Sequence, residues 1–187
     1  MKLVFAFTGS FCNHASALGT LEKLVKNGND VYPVFSDSVC RESTRFGSSD
    51  EIFEKVTSLC CRKPMTAVTE VESTVTKGGF DVVLICPCTG NTLAKMANGI
   101  TDTAVTMAAK CQLRTLRPVL IALASNDSLG ANFKNIGVMS EKKNVFFVPM
   151  TQDDPQNKPT SLVCDFSLVP ASLDAAVKNA QLRPLFR

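Results

Sequence analysis

Apolar residues in this chain fall into short continuous runs that alternate with segments of helical spacing. Leu3 to Phe7 is the first run, and it stops at Thr8-Gly9-Ser10. Ala17, Leu18, Leu21, Leu24 and Val25 then recur on one helical face until Asn27-Gly28. Val31 to Phe35 is a second run, ended by Ser36-Asp37-Ser38. A strand–helix–strand opening of this kind predicts a parallel sheet with a right-handed crossover. After a turn at Arg45-Phe46-Gly47, the spacing of Ile52, Phe53, Val56 and Leu59 predicts an amphipathic helix before Pro64. Weak alternation between Thr66 and Gly79 predicts a short strand at Ala67-Val68 followed by a polar connection.

The second half repeats the alternation. A strand begins at Asp81 and ends in Cys86-Pro87-Cys88-Thr89-Gly90, and a helix follows from about Asn91 to Asn98. Gly99 breaks that helix, Thr101-Asp102 offers a new cap, and Ala104 to Cys111 reads as the next helix. Pro118 to Ala124 is another buried strand, ended by Ser125-Asn126-Asp127. A helix is expected within residues 129–143, a strand from Val145 to Val148, a polar loop over residues 152–159, and a final helix from Leu173 to Leu182. The sum is a single α/β domain over residues 1–187, with a doubly wound, mainly parallel sheet of about six strands in a three-layer sandwich. Four strand ends carry small polar clusters, and a parallel sheet brings all four to one edge.

Composition narrows the classes of function. A chain of 187 residues suits one domain, since domains run to roughly 100–200 residues. Its 20 basic and 17 acidic residues are dispersed, so the basic stripe that nucleic acid binding needs is missing. No apolar run reaches the roughly 18–20 residues of a membrane helix. The opening Met1-Lys2-Leu3 does not read as a secretory signal, which predicts a cytoplasmic chain whose eight cysteines are reduced. Their spacing contains no paired C-x-x-C, so no metal site is expected.

The candidate chemistry lies at the strand ends. Thr8, Gly9 and Ser10 offer one glycine flanked by hydroxyls, without the G-x-G-x-x-G of a dinucleotide fold or the lysine of a P-loop. Thr89, Asn91 and Thr92 place two hydroxyls and an amide beside the free N–H groups of a helix start, which suits a phosphate or simply caps the turn. His14, the only histidine, is either a base near this loop or a capping side chain, and Asp102 either caps a helix or holds a substrate hydroxyl. Arg41, Arg45 and Lys95 are candidates for pairing with the carboxylates of a small acid. Hydroxyls and amides with few acids or bases point to a cofactor that carries the reactive atom, and a flavin mononucleotide fits best.

At Pro87-Cys88-Thr89-Gly90-Asn91-Thr92 the sequence resembles the flavoprotein superfamily of homo-oligomeric flavin-containing cysteine decarboxylases, whose loop reads Pro-Ala-Ser-Ala-Asn-Thr. Within it, several stretches look like the dipicolinate synthase B-subunit family of spore-forming bacteria. They include Asn98-Gly99-Ile100-Thr101-Asp102-Thr103, Ser125-Asn126-Asp127, Gln152-Asp153-Asp154-Pro155 and Asp165-Phe166-Ser167-Leu168, with Thr8-Gly9-Ser10-Phe11-Cys12 and Thr44-Arg45-Phe46-Gly47 near the start. The resemblance spans nearly the whole chain outside about residues 50–80.

The resemblance implies a flavodoxin-like, Rossmann-like fold and a homo-oligomer built from trimers. It carries an FMN site onto Gly9, Ser10, Ser36, Thr89, Gly90, Asn91 and Thr92; Thr8, Cys88, Ser125 and Asn126 at the same strand ends complete the expected cofactor site, and the reading of the residues leaves His14, Asn91 and Asp102 as catalytic candidates. Arg45 and Lys95 remain the candidates for a dicarboxylate substrate. It further implies oxidation of a dihydrodipicolinate-level precursor in the mother cell, together with a dipicolinate synthase A subunit that carries NADPH or NADH. A non-catalytic scaffold for that subunit, or a stand-alone flavin-dependent reductase, are the other readings. The chain departs from the decarboxylases in having no histidine beyond His14 and in reading Ala-Ser-Asn-Asp at residues 124–127 where they read Pro-Ala-Met-Asn. Ser125 stands where flavin prenyltransferases carry an arginine. These departures argue against cysteine decarboxylation and against prenyl transfer.

Overall fold

The apolar runs become the strands of one sheet in the computed structural model, which describes residues 1–187. In chain order the elements open with β1 (Lys2–Phe7), α1 (His14–Lys26), β2 (Asp30–Phe35), α2 (Asp37–Arg41), α3 (Ser49–Cys60) and α4 (Val68–Gly78). Next come β3 (Val82–Cys88), α5 (Gly90–Ala97), α6 (Ala104–Arg114), β4 (Val119–Ser125), α7 (Phe133–Glu141) and β5 (Val145–Phe147). The chain closes with β6 (Met150–Thr151), β7 (Leu162–Cys164) and α8 (Val169–Ala176).

Parallel pairing gives the order β2-β1-β3-β4-β5, and the order reverses between β1 and β3. That is the flavodoxin-like arrangement, and its ligand crevice lies outside the strand ends at the reversal. Alternate residues of each strand serve opposite faces. Val4, Ala6, Val83, Ile85, Val119 and Ile121 pack into the core on one side, and Leu3, Phe5, Phe7, Leu84, Leu120 and Ala122 into the core on the other. Helices cover both faces, so these strands read as continuous apolar runs rather than as alternating ones. Pro87 lacks an N–H, and the β3–β4 register shifts between Ile85 and Cys88.

Three expectations need correction. Residues 68–78 form α4 rather than a strand and a connection, because Val71 and Val75 bury one helical face and Gly79, at φ 63°, ends the helix. Asp102 and Thr101 do not cap α6. Thr103 does, in a capping box with Thr106. The last helix runs over Val169–Ala176 instead of Leu173–Leu182, with a proline in its first turn favouring the earlier start. Beyond it, Gln181 turns back to bond the outer edge of β5, donating to the Phe147 carbonyl at 2.7 Å and accepting its N–H at 2.8 Å. The doubly wound, mainly parallel sheet is as expected, and it reaches seven strands because β7 pairs antiparallel with the end of β4 and β6 pairs antiparallel with β7. No helix is long and apolar enough to cross a membrane.

Candidate functional site

The loops after β1, β3 and β4 meet in a cleft of about 610 Å³, within the roughly 300–1,000 Å³ usual for small-molecule sites. Gly9 and Ser10 come from the first loop, Thr89 and Gly90 from the second, and Ser125, Asn126 and Asp127 from the third. The loop after β2 does not line the cleft but stands behind it. Ser36 and Ser38 share a hydrogen bond of 3.0 Å, and a Cβ on Gly9 would come within 2.8 Å of the Ser38 hydroxyl.

One side chain fixes the reversal point. The Thr8 hydroxyl, 1% exposed, donates to the Pro87 carbonyl at 2.7 Å and accepts the Thr89 N–H at 2.9 Å. Both its bonds are used inside the protein, so Thr8 builds the site and does not face it. Thr89 then caps α5 by accepting the Thr92 N–H at 3.2 Å. The N–H groups of Gly90 and Asn91 lie ahead of the first helical bond, where a helix start offers free donors to an anion.

Gly90 makes room. A Cβ there would lie 2.5 Å from Ser125 Oγ, 2.6 Å from Asn132 Nδ2 and 2.9 Å from Asp127 Oδ1. Those three groups form a closed network. Ser125 donates to Asp127 at 2.6 Å, Asn132 donates to the other carboxylate oxygen at 2.7 Å, and Asn135 donates to Asn132 at 2.8 Å.

Other residues singled out in the sequence lie elsewhere. Cys88 points into the core, where burial pushes its thiol far above the ordinary cysteine range and keeps it protonated. Thr92 is buried within the α5 cap, and Asn91 is exposed at the start of α5 without lining the cleft. Lys95 bonds both carboxylate oxygens of Asp102 at 2.8 Å, and this hydrogen-bonded partner holds the Asp102 carboxyl below the usual range. Arg45 lies over the ring of its neighbour Phe46, 4.9 Å from the centroid. His14 is buried, with Nε2 at 2.8 Å from the Thr8 carbonyl and its ring edge-on to Phe7. A carbonyl only accepts, so Nε2 carries the proton. Burial lowers the His14 pKa, which the Thr8 carbonyl partly offsets. The imidazole lines a separate groove of about 400 Å³ between α1 and α3.

Sequence reasoning placed Asp127 at this edge within the Ser125-Asn126-Asp127 cluster but missed Phe11, Cys12, Asn13, Phe46, Asp153 and Lys158 in the lining of the cleft. The last two arrive on the connection between β6 and β7, and β7 pairs with β4 at Ser125. Lys158 bonds Asp153 at 3.1 Å and is held above the usual lysine range by it. The signal was the run of polar residues at 152–159, whose place beside the site depends on two strands too short to read.

Residues 1–174 match the flavoprotein family model. The chain is 36% identical over 184 residues to the dipicolinate synthase B subunit of Bacillus subtilis, covering 98% of this chain and 92% of that one. Its fold superposes on the crystal structure of the dipicolinate synthase B subunit from Bacillus halodurans with a TM-score of 0.91 at 35% identity, covering 100% of this chain and 95% of the other. An FMN-dependent cysteine decarboxylase, SpaF, shares the fold at a TM-score of 0.72 and 18% identity, over 96% of this chain and 97% of its own. With a strand order, a crevice and a full-length match that agree, the chain belongs to the flavoprotein family, as a homologue of the dipicolinate synthase B subunit.

Proposed function

We propose that this chain is the FMN-binding B subunit of a dipicolinate synthase, acting with an A subunit to oxidise a dihydrodipicolinate-level precursor to dipicolinate. The observation that carries the FMN reading is the pair of glycines in one cleft. A Cβ on Gly90 would collide with Ser125 and Asp127, which line the cleft, and one on Gly9 would collide with Ser38 behind it, so each loop keeps its close approach only with glycine. Ser10 and the free N–H group of Gly90 at the start of α5 suit the single phosphate of a mononucleotide. Ser125 and Asn126 line the same cleft and offer polar partners to a heterocycle, while Phe11 and Phe46 give it apolar walls that limit water.

Bound flavin, or a nicotinamide held by the A subunit, supplies two-electron acceptance from the dihydropyridine ring, which aromatisation favours. Lys158 is the one cation lining the cleft, so it takes the carboxylate-holding role that the sequence suggested for Arg45 and Lys95. Asp127 is held by Ser125 and Asn132 and orders the β4 loop. The assembly is a homo-oligomer of trimers in the mother-cell cytoplasm of a spore-former, with the nicotinamide on the A subunit.

A second reading is favoured by a specific feature. No unpaired acid or base lines the cleft: Asp127 is hydrogen-bonded, Asp153 is paired with Lys158, and His14 lies in another groove. A chain so equipped could support the A subunit without reacting itself. Titration of the purified protein with FMN, followed by its visible spectrum, tests the cofactor. Dipicolinate formation by the A subunit with and without this chain separates catalysis from scaffolding. Failure to bind FMN at saturating concentration overturns the first reading.

A further inference from the structure

At the amino-terminal end of β5, the edge of the sheet opposite the cleft, lies a second cavity of about 580 Å³. One wall is the turn from α7 into β5, which carries Lys143 and Asn144. The other is the segment after α8, which carries Asn179 and Arg183. No acidic side chain lines this cavity. Neither Lys143 nor Arg183 takes part in an ion pair.

The decisive group is Asn144. It is 9% exposed and its backbone is fixed, with φ 64° and a carbonyl that accepts the Val119 N–H at 2.8 Å. Its side-chain amide makes no hydrogen bond within the chain, yet it is not sealed off from the surface, so it opens onto the cavity that it lines. Solvent reaches this amide, so it is free to donate to a ligand in the cavity. The facing wall is equally fixed, because Gln181 clamps Phe147 through both N–H and carbonyl two residues before Arg183. A donor-lined, acid-free cavity between two fixed walls suits an acceptor with negative charge.

We propose that this cavity binds a small anion of at least two charges, phosphate or carboxylate in kind, with Lys143 and Arg183 as charge partners and the Asn144 amide as donor. The site is independent of the cofactor cleft, which lies at the other end of the strands.

Calorimetric titration with pyrophosphate and with citrate, at constant ionic strength set by potassium chloride, tests it. The expected result is a saturable site that Gly90→Ala leaves in place, and the tighter of the two probes there identifies the anion type. Asn144→Asp keeps the shape and turns a donor into a negative charge, so affinity should fall at least about tenfold. Lys143→Gln and Arg183→Gln alter exposed side chains and should each weaken binding by about three- to tenfold. Gly90→Ala, which obstructs the cleft, should leave the affinity unchanged and so separates this site from any phosphate held there. Absence of saturable binding, equal affinity in all these variants, or loss in Gly90→Ala alone would overturn the proposal.

Discussion

The Thr8 hydroxyl and the Thr89 N–H meet at 2.9 Å, joining residues 81 positions apart at the point where the strand order reverses. The same hydroxyl donates to Pro87, so one side chain satisfies two backbone groups of the β3 loop. Thr8→Val keeps the shape and removes both bonds, leaving a half-buried N–H and a buried carbonyl without partners. Such a loss costs about 1–3 kcal/mol. Thr8→Val should therefore lower the denaturant midpoint and weaken FMN binding, whereas Thr8→Ser should retain most of both. Urea unfolding of the three proteins is the measurement.

Gly90 is sensitive for a different reason. The side chains that an added Cβ would meet are flexible in themselves but are locked to one another through Asp127. Gly90→Ala must break that network or shift the start of α5, and either change moves the N–H group proposed to hold the phosphate. FMN affinity should drop at least about tenfold, equivalent to one lost charge-assisted hydrogen bond. Gly9→Ala should cost less, because the nearest obstacle is the Ser38 hydroxyl, held by one hydrogen bond. Fluorescence titration of flavin against both variants gives the comparison.

The contrast between these glycines and the lysines shows what the sequence can disclose. Strand ends announce themselves, because a buried parallel strand is an apolar run and its carboxyl end is marked by small polar residues, as at Thr8-Gly9-Ser10 and Ser125-Asn126-Asp127. Five strands and the cleft they frame were legible on that basis. The segment 68–78 was not, since Thr and Val favour strands locally while the burial of Val71 and Val75 decides for a helix. Lys158 was hidden because its position depends on β6 and β7, of two and three residues. Lys95 differs from Lys158 in position, for it lies outside the cleft and is bonded to Asp102.

Substitution of these lysines should consequently separate. Lys158→Gln removes the one cation lining the cleft and should raise the KM for a dicarboxylate substrate by about tenfold while leaving FMN affinity nearly unchanged. Lys95→Gln breaks an ion pair in which Asp102 is exposed, and exposed pairs contribute about 0–1 kcal/mol. Its KM and its stability should stay close to those of the parent. Steady-state kinetics with the A subunit present would show whether the two effects divide in this way.

His14 should make the fold sensitive to mild acid. In the unfolded chain its imidazole takes a proton near the ordinary value of 6.5, whereas burial lowers the folded value. Between those two values the unfolded state binds more protons, so stability falls as pH drops. The contribution is complete above about pH 6.5 and is lost progressively below it, levelling off once pH passes the folded pKa. The slope from one such group cannot exceed about 1.4 kcal/mol per pH unit. Protonation adds a charge beside Phe7 and Phe11 in a setting where Nε2 already donates to Thr8. His14→Gln can still donate to that carbonyl but does not titrate, so the loss of stability between pH 6.5 and 5 should be shallower in the variant than in the parent. Urea midpoints across pH 5 to 8 measure this directly, and parallel curves for the two proteins would remove His14 as the cause.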